Sequence, residues 1–112
     1  MMPEMTVNEL AFRCGFEVLS LPEPEKEING AYAGDLLSWV MGRGNPGNCW
    51  LTIMTNINVL AVASLIDFSC VILCEDSVVN DEFLNAAKEK GINVLRTTSP
   101  VYEACLTVGR TI

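Results

Sequence analysis

From Cys49 onward the sequence alternates short apolar runs with helix-like ones, and this alternation constrains the fold more than any other feature. The apolar runs are Cys49 to Thr55, Ser69 to Glu75 and Ile92 to Arg96. Each is rich in large or branched apolar residues, as strands buried on both faces are. Between the first two, the segment from Asn56 to Ile66 carries Leu60, Ala61, Ala63, Ser64 and Leu65, which suit a buried helix lying close to a sheet. Asn80-Asp81-Glu82 opens an amphipathic helix with acids in its first turn, Lys88 and Lys90 in its last, and Gly91 as its stop. Ser99 and Pro100 hold the N-cap and first helical positions of a final helix. Strand, helix, strand, helix, strand, helix predicts parallel strands joined by right-handed crossovers.

The first half is read from local signals. Thr6-Val7-Asn8-Glu9 has capping-box spacing, and Gly15 sits where the C-cap of a short opening helix would fall. A strand over Phe16 to Leu21, a solvated turn over Pro22 to Glu27 and an extended piece over Asn29 to Ala33 follow. Gly34-Asp35 turns the chain into the helix LLSWVMG, which Asp35 is placed to cap. Next comes GRGNPG, Gly42 to Gly47, a literal G-x-G-x-x-G. That fingerprint needs a strand before it and a helix after it, so that a pyrophosphate meets a helix N-terminus. Here the order is helix, glycines, strand, so dinucleotide binding is not expected there. Gly42 or Gly44 is expected to supply a left-handed helix cap, and Asn45-Pro46-Gly47 a turn.

Composition narrows the function. At 112 residues the chain is read as one domain, residues 1–112. Half of its residues are apolar, which is rich for so small a domain, and a homodimer interface is expected to hide part of the excess. The net charge is −7 and the basic residues are scattered, so no nucleic-acid partner is expected. Polar residues interrupt the apolar region from Cys49 to Cys74, so no membrane span is expected. The N-terminal stretch has neither a basic leader nor an apolar signal core, and the expected location is cytoplasmic. Five cysteines form no C-x-x-C pair and histidine is absent, so no metal and no cofactor is expected, and Cys70 and Cys74 read as small buried hydrophobes on one face of a strand. Without histidine, and with no carboxylate pair identifiable from spacing, no catalytic residues and no enzymatic activity are expected.

Ligands of parallel α/β sheets bind where loops leave the C-terminal ends of strands. Three such loops are visible: Thr55-Asn56-Ile57-Asn58, Glu75-Asp76-Ser77 and Thr97-Thr98-Ser99. The hydroxyls and amides of the first and third suit an anion or a sugar beside helix N-termini, although the same residue types cap helices, and spacing alone favours capping. Glu75-Asp76 could hold a hard cation, but adjacent side chains are expected to diverge. Trp39 and Trp50 read as packing residues rather than base-stacking ones.

GAYAGDLLSWVMGRGNPGNCWLTIMTNINVLAVASLIDFSCVILCED, followed by a helix and GINVLRTTSPVYEACL, resembles the small stand-alone DRTGG-domain proteins, over nearly the whole chain after residue 6. The most specific stretches are Gly34 to Ser38, the Thr55 to Asn58 loop running into Ala61 to Leu65, and Thr97 to Ser99. The name-giving Asp-Arg-Thr-Gly-Gly is absent, and Thr55-Asn56-Ile57-Asn58 occupies its place. Such domains are similar to the N-terminal domain of HPr kinase/phosphorylase and, more distantly, to the uridine-nucleotide-holding domains of Mur ligases, whose G-D-L-F turn resembles Gly34-Asp35-Leu36-Leu37. The resemblance implies an α/β fold, a single compact domain with a mostly parallel mixed sheet flanked by helices. It also implies a non-catalytic regulatory or sensory role. The expected ligand-binding residues are Gly34, Asp35, Ser38, Thr55, Asn56, Asn58, Thr97, Thr98 and Ser99, facing a small anionic or nucleotide-like molecule. A structural adaptor that docks a protein partner is the competing expectation. Kinase activity is not implied, because no G-x-x-x-x-G-K-[S/T] loop is present.

Overall fold

A computed structural model describes residues 5–112. Residues 1–4, on which the absence of a leader was partly read, lie outside the described residues. The elements are β1 (Met5–Thr6), α1 (Val7–Cys14), β2 (Glu17–Ser20), β3 (Glu27–Ile28), β4 (Gly30–Ala33), α2 (Leu37–Arg43), β5 (Asn48–Thr52), α3 (Asn58–Ile66), β6 (Cys70–Leu73), α4 (Asp81–Lys90), β7 (Val94–Arg96) and α5 (Val101–Thr111).

Local chemistry sets the helix ends. Thr6 Oγ1 accepts from Glu9 N at 3.2 Å, and Glu9 Oε1 accepts from Thr6 N at 3.2 Å, which completes the capping box. Asn80 caps α4 by accepting from Phe83 N at 2.8 Å. Gly15 and Gly91 end their helices with φ of 69° and 72°, conformations that glycine adopts without a Cβ penalty.

The main sheet has the order β2-β7-β6-β5-β4, with the last four strands parallel and β2 antiparallel to β7. The parallel strands expected from the alternation are therefore present, within the mostly parallel mixed sheet that the resemblance implies. Strand alternation splits the core into two layers. Cys49, Leu51, Cys70, Ile72, Cys74 and Leu95 face α1 and α5, whereas Trp50, Val71, Leu73 and Val94 face α2, α3 and α4. A small β1-β3 ribbon, which no local pattern foreshadows, lies outside this sheet.

The glycine-rich stretch serves packing. Gly44 has an ordinary negative φ of −71°, and Gly42 is not left-handed either, so the expected left-handed cap is absent. A Cβ on Gly44 would stand 2.5 Å from the Phe68 ring, which is why the position must stay bare. The left-handed residue of the stretch is Gly47, at φ 84°, in the turn into β5. Two further expectations shift. Ala61, Ser64 and Leu65 lie on the exposed face of α3, because Val59, Leu60, Val62 and Ala63 meet the sheet instead. Trp50 is fully buried, but Trp39 is half exposed and lies under Arg43, whose guanidinium is 3.9 Å from the ring centroid.

Candidate functional site

The right-handed crossovers bring the loops after β4, β5, β6 and β7 to one edge of the sheet, and a chain of hydrogen bonds joins them. Asp35 is the first link. It does not cap α2, whose N-cap is Leu36 with no side-chain bond. Its Oδ1 instead accepts from Thr52 Oγ1 at 2.7 Å and from Ile53 N at 3.0 Å, because β5 ends at Thr52 and leaves that amide free. Ser77 Oγ reaches Ile53 O at 3.3 Å and Cys74 O at 2.6 Å. Arg96 Nη1 donates to Ser77 O at 3.3 Å, while its other nitrogens grip Glu17 at 3.0 Å and 2.8 Å. Neighbouring loops are thus tied one to the next.

The loop after β6 is strained. Glu75 and Asp76 have φ of 63° and 54°, and Ser77 N closes the turn on Cys74 O at 3.3 Å. Left-handed backbone costs an ordinary residue about 1 kcal/mol or more. Backbone bonds from Glu75 N to Ser99 O at 2.9 Å and from Asp76 N to Thr97 O at 3.0 Å hold it in place. Glu75 Oε2 also accepts from Val101 N at 3.1 Å. That bond corrects the expected cap of α5: Pro100, not Ser99, is the N-cap residue, and a carboxylate from the neighbouring loop takes the free amide. Asp76→Gly should therefore stabilise the fold by about 1 kcal/mol, read as a higher urea midpoint with an unchanged slope. An unchanged or lower midpoint would show that the turn is not strained.

The sequence-derived residues divide into two groups. Asp35, Asn56 and Thr97 are spent on internal bonds, Asp35 across to the end of β5, Asn56 Oδ1 accepting from Asn58 N at 2.9 Å and Thr97 Oγ1 from Ser99 N at 3.2 Å. Gly34 accepts from Trp50 Nε1 at 2.9 Å and donates its N–H to Leu51 O at 3.1 Å. The side chains of Ser38, Thr55, Asn58, Thr98 and Ser99 make no hydrogen bond within the described residues. Ser38, Asn58 and Thr98 are exposed, Thr55 and Ser99 partly so. Sequence reasoning missed Thr52 and Arg96. Their signal was a polar residue at the C-terminal end of a buried strand, a position that needs a partner once the strand stops.

Cys14, Cys70, Cys74 and Cys105 stay protonated near neutral pH. Burial is the main cause that pushes Cys74 up to about 12, with Cys105, Glu75 and Asp35 adding negative charge nearby. Burial also raises Cys14 and Cys105, and the Cys49 contact together with burial raises Cys70 well above its ordinary value. Raised values disfavour the thiolate that nucleophilic or metal-binding cysteine requires. Among the described residues no group of three or more Cys, Asp or Glu side chains is placed to hold a metal ion. No helix among them is long and apolar enough to cross a membrane.

No protein family model matches the chain, and no curated protein is detectably similar to it. A solved structure does match: the CBS and DRTGG domains of the regulatory region of Clostridium perfringens pyrophosphatase, complexed with the activator diadenosine tetraphosphate. The TM-score is 0.71 at 13% identity. This chain has a DRTGG-like fold. The match takes in 96% of the chain and 47% of the pyrophosphatase region, so the chain spans about half the length of that neighbour. At this identity the likeness is one of fold, and it carries nothing of the resemblance to HPr kinase.

Proposed function

We propose that this protein is a non-catalytic regulatory module, working as a homodimer, that binds a small anionic or nucleotide-like ligand at the strand C-terminal edge. The observation that carries the reading is the set of side chains at that edge with no internal partner: Ser38, Thr55, Asn58, Thr98 and Ser99. They sit beside the starts of α2, α3 and α5, where backbone amides are free for an anion. The DRTGG-like neighbour supports the reading, being a regulatory region complexed with a nucleotide activator. Five free thiols agree with a reducing, cytoplasmic setting.

The test is a thermal-shift panel of mono- and dinucleotides, with and without Mg²⁺, on the wild type and on Asn58→Ala/Thr98→Ala. A ligand at a hundred times its dissociation constant should add about 2.7 kcal/mol, a rise of roughly ten degrees for a domain of this size. The double variant should abolish that rise while keeping its own melting temperature. No rise with any compound would favour the structural adaptor instead, a reading to which Phe12, Val78 and Leu65, at 88%, 83% and 72% exposure, lend support as protein-docking side chains.

A further inference from the structure

The main sheet has two edges, and only one is guarded. At one edge β2 carries Glu17, ion-paired with Arg96 at 2.8 Å, and its register with β7 shifts between Val18 and Ser20. Charge and irregular register are two devices that stop an edge strand from pairing with another chain. At the other edge β4 reads Gly-Ala-Tyr-Ala, with no charge, no proline and an unbroken register against β5. Gly34 N–H donates to Leu51 O, and alternation along the strand then turns the backbone of Gly30 and Tyr32 towards β5. Ala31 and Ala33 therefore present their N–H and C=O groups outward. Both residues are exposed, and no hydrogen bond reaches those groups among the described residues.

The flanking helices add apolar surface to this edge. On one face, the right-handed β4–α2–β5 connection puts Leu36, Trp39 and Arg43 on the β4 side of α2, while Val40 points into the core. On the other, Cys14 Sγ donates to Thr111 Oγ1 at 3.6 Å and so fixes which flank of α5 meets α1. α5 lies against β4 and β5, and helix periodicity turns its opposite flank, with Tyr102 and Cys105, towards the β4 side. Leu36 and Trp39 are more than half exposed, and so is Tyr102.

We infer that β4 pairs antiparallel with the β4 strand of a second copy of this chain across a two-fold axis. The inference rests on the dimeric reading above and supplies its interface. A two-fold makes the edge self-complementary: Ala31 exchanges both backbone hydrogen bonds with the partner's Ala33, and Ala33 with the partner's Ala31. Tyr32 then lies opposite the partner's Tyr32, and the small alanine side chains let the α5 flanks approach. The same axis runs the α2 helices antiparallel, which turns Arg43 towards the partner's Asp35 and matches their charges. Pairing of this kind closes at two copies, because the β2 edge of the main sheet is guarded among the described residues.

Sedimentation equilibrium at micromolar concentrations, with amide hydrogen exchange on the wild type, tests this. A dimer is expected, with the Ala31 and Ala33 amides slowing as concentration rises. Ala31→Lys sets like charges against each other at the axis, and Ala33→Pro removes an outward donor while sparing the ladder to β5. Each variant should weaken the dimer about a hundredfold or more, with unchanged far-UV circular dichroism. A wild-type dimer whose Ala31 and Ala33 amides exchange freely would overturn the β4 interface and leave the dimeric reading standing on another face. A wild-type monomer throughout would overturn both.

Discussion

Trp50→Ala should cost about 4 kcal/mol, enough to leave a domain of this size marginal or unfolded. The indole is fully buried against α2 and α3, with the Phe68 ring 5.5 Å away at 45°. Truncation removes an aromatic volume that rigid strands on either side cannot refill. It also strips Gly34 O of its donor at 2.9 Å. Trp50→Phe separates the two effects. It keeps most of the ring but leaves that carbonyl unpaired, at about 1–2 kcal/mol, and should loosen the turn that holds Asp35 against Thr52. Urea denaturation measures the first effect and hydrogen exchange at Ile53 N the second. An alanine variant within 1 kcal/mol of wild type would show that the core repacks around the gap.

The second large loss is expected at the opposite end of the sheet. Asn93 is 2% exposed and sits just before β7. Its Nδ2 donates to Glu23 O at 2.7 Å and to Ser69 O at 3.0 Å, while its Oδ1 accepts from Glu23 N at 2.9 Å. One side chain thus pins the Pro22–Glu27 turn to the start of β6. Asn93→Ala should cost about 3 kcal/mol, because it strands several buried polar groups at once. Asn93→Asp keeps the acceptor and places a charge facing two carbonyls, so it should be no milder. Calorimetry checks both, and a loss below 1 kcal/mol for the alanine variant would mean that water replaces the amide.

These two residues mark what the sequence made readable. Trp50 sits in an apolar run, so its burial followed from pattern, and the alternation after Cys49 carried the succession of elements and the parallel direction of the strands with it. Signals that act within a few residues also read correctly: the Thr6–Glu9 capping box, the Asn80 cap, and Gly15 and Gly91 as helix ends. Bonds between segments distant in sequence did not. Asp35 looked like a cap because its spacing to α2 allows one, but the end of β5 offered two donors and won. Glu75 looked like a solvent or cation-binding residue, yet it caps α5 from a neighbouring loop. Asn93 gave no signal, since its partners are 70 and 24 residues away. At the candidate site the residue types were legible. Which of them are spent on the fold, and which are left for a ligand, depended on where each strand stops.

All five cysteines fall on the side of the sheet that faces α1 and α5, and none on the side of α2, α3 and α4. Three of them are sealed and two lie nearer solvent. The chain therefore carries its own clock for the opening of one half. A thiol reagent added to the folded protein would modify Cys14 and Cys105 first. Cys49, Cys70 and Cys74 would follow only as fast as α1 and α5 lift from the strands, while motions of the other three helices would pass unrecorded.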